Sequence, residues 1–134
     1  LQVVAAIRYI TNGTYLAIMK EMLEAEVCDC MKPLHARVAK MVEQYEAAIT
    51  AVKDAQNQEV HDFLGRRLYD MTAEIIMSLL IIEDASRAPE LFKKSAHVYV
   101  RMAEENVQGK AAYIQNFKAE DLAAFRAVET ETAE

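Results

Sequence analysis

Apolar side chains recur along this chain at helical rather than strand spacing. Leu34, Val38, Met41, Tyr45, Ala48 and Val52 alternate steps of four and three residues, which puts them on one stripe of a helix. Leu64, Leu68, Met71, Ile75, Leu79 and Ile82 repeat the pattern, and Gln56-Asn57-Gln58 breaks the stripe between the two runs. In the second run, Ile75, Ile76, Met77, Leu79, Leu80, Ile81 and Ile82 leave polar only the direction of Ser78, so this half-helix is predicted to be covered on more than one side. A further stripe of Leu91, Ser95, Val98 and Met102, with Phe92, Ala96 and Tyr99, predicts a fourth amphipathic helix.

Turn formers and helix starters punctuate these runs. Thr11-Asn12-Gly13-Thr14 is suited to end an opening helical stretch over residues 1–10 and to cap the next helix, over residues 15–27. Pro33 and Pro89 fit the first turns of helices, where a missing N–H costs nothing. Gly65 inside the third helix points to a close helix approach or a kink, and Gly109 to a kink or an end of the fourth. Tyr113, Ile114 and Phe117 continue helical spacing, and residues 121–128 predict a short last helix. The expected architecture is all-α: an up-and-down antiparallel bundle of four main helices plus a short C-terminal helix. Residues 1–10 are read as the end of a preceding helix, 11–128 as the bundle and 129–134 as an acidic tail.

Composition sharpens this picture. Of 134 residues, 53% are hydrophobic while Gly numbers 3 and Pro 2, a balance that favours helices over turns. A formal charge of −6 repels phosphate backbones and anionic headgroups, so neither nucleic acid nor membrane is expected as a partner. The apolar run over residues 75–82 falls well short of the roughly 20 residues that a bilayer span requires. Leu1-Gln2-Val3-Val4 opens without a basic region or cleavage site, and the expectation is a piece of a longer cytoplasmic protein.

Chemistry-bearing residues are sparse. Cys28 and Cys30 are too close for an unstrained structural crosslink, and two thiols fall short of the four ligands of a structural zinc site. His35, His61 and His97 fall on three different predicted helices, and none closes a Glu-x-x-His unit, since positions 32, 58 and 94 are Lys, Gln and Lys. Glu83 and Asp84 point about 100° apart on a helix and read as solvated charges rather than a proton-sharing pair. Met22, Met31, Met41, Met71, Met77 and Met102 mostly fall on the core stripes and read as core filling. Asn12-Gly13-Thr14 matches a glycosylation sequon but reads as a turn and cap. No catalytic residue, metal ligand or cofactor loop can be assembled from these positions.

The opening Leu1-Gln2-Val3-Val4-Ala5-Ala6-Ile7-Arg8 resembles the helix of acyl-CoA dehydrogenases that follows their Tyr-Glu-Gly-Thr segment. Residues 68–82, Ala88-Pro89-Glu90-Leu91-Phe92 and Ala96-His97-Val98-Tyr99-Val100 look like the C-terminal helical region of large bacterial members. The resemblance implies a parent enzyme that uses FAD to oxidise an acyl-CoA thioester in fatty acid metabolism. Its catalytic Glu would lie just upstream of Leu1, so the fragment itself is expected to bind no cofactor and to perform no catalysis. Gln2 alone matches a family position near the flavin. The implied role is structural, with Ile75, Ile76, Leu79, Leu80, Ile81 and Ile82 as candidate interface toward the rest of the parent chain or a second copy in a homo-oligomer. The alternative is an independent helical module that binds a protein or acyl ligand in a groove.

Overall fold

The computed structural model describes residues 2–55 and 57–124, with side chains from residue 7 onward. Five helices lie in the order α1 (Gln2–Thr11), α2 (Thr14–Leu23), α3 (Lys32–Asp54), α4 (Gln58–Arg87) and α5 (Pro89–Asn116). A single 3-10 turn over Asp29–Met31 leads into α3, residues 119–124 are again helical, and no strand occurs among the described residues. The four main helices expected from periodicity are α2 to α5. The acidic tail and residues 125–128 of the short last helix lie outside the described residues.

Local chemistry accounts for the helix boundaries. Gly13 adopts φ 86°, a left-handed conformation that costs glycine little, and Asn12 Oδ1 accepts from the backbone N–H of Thr14 at 3.0 Å and its hydroxyl at 2.6 Å. This is the turn and cap expected there. α2 stops at Leu23, earlier than expected, with Glu24 N–H closing back on Glu21. Pro33 and Pro89 occupy the first turns of α3 and α5. Asn57 caps α4, its side-chain oxygen accepting from Glu59 N at 2.9 Å and Val60 N at 3.3 Å. Asn57→Ala is expected to cost about 1 kcal/mol by removing this cap, read as a lowered urea midpoint with an unchanged slope.

Three long helices form the bundle, and α4 packs against both α3 and α5. Cross-helix pairs fix their directions. Tyr45 of α3 meets Thr72 of α4, while Ser86 near the end of α4 reaches Cys28 before the start of α3, so these two run antiparallel. Phe63 near the start of α4 stacks on Phe117 just past α5, with ring centroids 5.2 Å apart, so α4 and α5 are antiparallel too. Gly65 is the place where α1 comes close, because a Cβ there would collide with the Ile7 side chain. Gly109 does not end α5, which runs through it to Asn116.

The core follows two of the expected stripes. All six residues of the α3 stripe and all six of the α4 stripe are buried. Burial of such side chains, at roughly 25 cal/mol per Å² of apolar surface, is the main driving force for a bundle with few other crosslinks. The third stripe is reversed. The buried face of α5 is Ala96, Val100, Ala103, Val107, Ala111 and Ile114, whereas Leu91, Val98 and Met102 are 70%, 73% and 49% exposed. Ser78 is also opposite to expectation: it is fully buried, its hydroxyl donating to the Glu74 carbonyl one turn back at 2.8 Å.

Candidate docking surface

The reversal of α5 leaves one side of the bundle with large apolar side chains and no covering element among the described residues. On α4, Met77 and Leu80 face outward and Ile76 and Ile81 are half-buried. A hollow of about 500 Å³ is lined by Met77, Leu80, Ile81 and, from α5, Phe92 and Ser95. A second hollow of about 260 Å³ shares Met77 and continues toward α1 and α2 through Ile76, Ile10 and Tyr15. Around α5 the same side extends along Leu91, Ser95, Val98 and Met102, residues three or four apart and therefore on one stripe. Scattered exposed apolar residues are normal, but a contiguous patch rimmed by charges marks a site of association.

Of the six candidate interface residues, Ile75, Leu79 and Ile82 point into the bundle's own core and are at most 4% exposed. Leu80 is exposed, and Ile76 and Ile81 are in between. The apolar surface left exposed is thus the outer half of that segment together with Met77, Phe92 and the α5 stripe of Leu91, Val98 and Met102, which periodicity assigns to the core.

Polar contacts hold this surface in place. Glu74, on the α4 side toward α5, accepts from Asn106 Nδ2 at 3.3 Å and pairs with Lys110 Nζ at 3.6 Å. Arg37 of α3 bonds Glu104 of α5 at 2.7 Å. These contacts fix the rotation of α5 from both flanks, which is what keeps Leu91, Val98 and Met102 outward. Glu74 was not singled out from the sequence. The signal for it was the pair Asn106 and Lys110, a helical turn apart on α5. Burial, and secondarily the Glu74 carboxylate, push the Tyr99 hydroxyl above the ordinary tyrosine range.

Other candidate chemistry is dispersed. Glu83 is engaged by Arg87 at 2.6 Å and Asp84 is exposed. His35 and His61 each bury an Nε2 without a hydrogen-bond partner, whereas His97 is exposed. No group of three metal-ligating side chains forms among the described residues, and no described helix is long and apolar enough to cross a membrane. The flavin that the resemblance implies finds no glycine cradle in this part of the chain. Gly13 serves a turn, Gly65 makes room for Ile7, and Gly109 stands in mid-helix with nothing within 4 Å of its missing Cβ. Gln2 lies in α1, and its side chain is outside the described residues.

Comparison with known proteins bears on this arrangement. Residues 11–122 match the family described as "Acyl-CoA dehydrogenase C terminal". The fold is similar to the crystal structure of the acyl-CoA dehydrogenase family protein from Porphyromonas gingivalis, with a TM-score of 0.79 and 35% sequence identity. That match covers 85% of this chain and 98% of the other. No curated protein matches the chain.

Proposed function

The chain belongs to the acyl-CoA dehydrogenase C-terminal family, and on that premise we propose that it is a structural, non-catalytic region whose outer α4–α5 face docks against a second copy as the parent enzyme assembles. The observation that carries this reading is the exposure of Leu91, Val98 and Met102 on the same helical stripe as Ser95, which lines the hollow at Met77, Leu80 and Phe92. An amphipathic helix that turns its larger apolar side chains outward, and its alanines and valines inward, gains from them only when another surface covers them. The FAD and acyl-CoA chemistry is proposed to belong to other segments of the parent protein, with residues 1–10 serving as the end of the helix leading out of them.

An acyl-binding groove, the competing reading, has less support. The interior is filled by Tyr45, Met41, Leu68 and Met71, each at most 1% exposed, and the hollows lie on the surface. Sedimentation equilibrium at micromolar concentration tests the proposal. The chain is expected to self-associate, and Leu91→Gln with Met102→Gln to weaken that association roughly tenfold or more, as loss of an interface anchor does. A chain that remains monomeric, or a double variant that associates as tightly as the parent sequence, would sink the reading.

A further inference from the structure

At the 3-10 turn between α2 and α3, Cys28 immediately before it and Cys30 within it form a pair of thiols that the docking role does not use. Cys28 and Cys30 are both free and half-buried, and their sulfurs sit 2.6 Å apart. The loop that carries them is anchored through the Cys28 backbone. The Cys28 N–H donates to the Ser86 hydroxyl of α4 at 3.3 Å, and its carbonyl accepts from Met31 N at 2.9 Å. Sulfurs already in contact on a fixed loop need almost no chain movement to bond. We propose that Cys28 and Cys30 form a reversible dithiol–disulfide site that exchanges with low-molecular-weight disulfides such as oxidised glutathione.

The two thiols are unequal, as an attacking and a resolving cysteine should be. The hydrogen bond from Cys30, followed by the Met31 N–H and the Ser86 hydroxyl, draws the Cys28 thiol below the ordinary cysteine range. Donating to Cys28, together with burial, pushes the Cys30 thiol up, with Lys93 partly opposing. The Cys28 thiolate attacks one sulfur of the small disulfide, forming a mixed disulfide and releasing one thiolate. Cys30 then gives its proton to solvent and attacks the Cys28 sulfur, expelling the second thiolate. Two protein thiols are oxidised, one small disulfide is reduced to two thiols, and atoms and electrons balance. Close sequence spacing makes the protein disulfide readily reversible by a dithiol, which is why it serves exchange rather than a permanent crosslink.

Intact-mass spectrometry of the chain incubated with oxidised glutathione decides the matter. The expected product is lighter by two hydrogens, carries no glutathione and reverts with dithiothreitol. Cys30→Ser is expected to stop at a single glutathione adduct on Cys28, and Cys28→Ser at a single adduct on Cys30, since neither retains a second thiol to resolve it. Stable glutathione adducts on the parent sequence, or thiols that stay unreacted, would each overturn the proposal. Far-ultraviolet circular dichroism identical to that of the parent sequence confirms that each variant compared is folded.

Discussion

Tyr45→Ala is expected to lower the unfolding free energy by about 3–5 kcal/mol, the range for emptying a buried aromatic site. Tyr45 is fully buried in the middle of α3, and its hydroxyl lies 2.6 Å from Thr72 Oγ1. Thr72 in turn donates to the Leu68 carbonyl at 2.8 Å, so the Tyr45 hydroxyl donates to Thr72 and the short chain of bonds is satisfied. Tyr45→Phe keeps the ring and leaves Thr72 its bond to Leu68. That variant is expected to lose only about 1 kcal/mol, the net value of one buried hydrogen bond. Urea unfolding of both variants checks the pair. Equal losses would mean that the hydroxyl, not the ring volume, dominates the site.

The same residue gives the molecule an alkaline limit. Burial pushes the Tyr45 hydroxyl from 10.0 up to about 12. A folded state that holds this proton more tightly than the unfolded chain is fully stabilised by it below pH 10, and loses that contribution as pH rises from 10 through about 12. The loss accumulates at about 1.4 kcal/mol per pH unit within that window. Tyr45→Phe removes the ionising group, so its stability should fall less steeply there. The smaller slope that remains is assigned to Tyr99, whose hydroxyl is shifted in the same direction. Parallel curves for the two proteins would place the alkaline transition elsewhere.

Much of the fold was legible because α3 and α4 put their largest apolar side chains where they are needed. Leu34 to Val52 and Leu64 to Ile82 are both the most hydrophobic stripes of their helices and the buried ones, so periodicity and burial agree. In α5 they disagree. Hydrophobicity favours the stripe of Leu91, Val98 and Met102, yet α5 packs against both α3 and α4, and a helix wedged between two neighbours needs small side chains at its contact. Ala96, Val100, Ala103, Val107 and Ala111 meet that requirement. Volume decided the face where transfer free energy alone pointed the other way.

Ser78 misled for a related reason. A hydroxyl in an apolar run points to solvent, but a helix offers the carbonyl one turn back, and Glu74 O satisfies it inside the core. That turns Met77 and Leu80 outward, which no count of apolar residues over 75–82 could reveal. Family membership was legible in part from motifs such as Ala88-Pro89-Glu90-Leu91-Phe92, whereas the exposed apolar face of α5 was not. A surface of this kind is defined by what the core leaves over, and the core of α5 had been assigned to the wrong face.

Two valines on opposite sides of α5 turn this into an experiment. Val100→Asp is expected to cost at least about 4 kcal/mol and to leave the chain largely unfolded, because the carboxylate would enter a position with no solvent access. Val98→Asp, only two residues away and 73% exposed, should change stability by no more than about 0.5 kcal/mol. Had the apolar stripe been the buried one, the two outcomes would be exchanged, so thermal unfolding of this pair reads the rotation of α5 directly. The same Val98→Asp protein then separates folding from docking. It should retain the helical circular dichroism of the parent sequence while losing self-association, since a charge in the centre of an apolar contact must be desolvated for the contact to close. A folded Val98→Asp chain that associates normally would leave the outer stripe as exposed surface with no interface role, and the contact between copies would have to be sought on another face of the bundle.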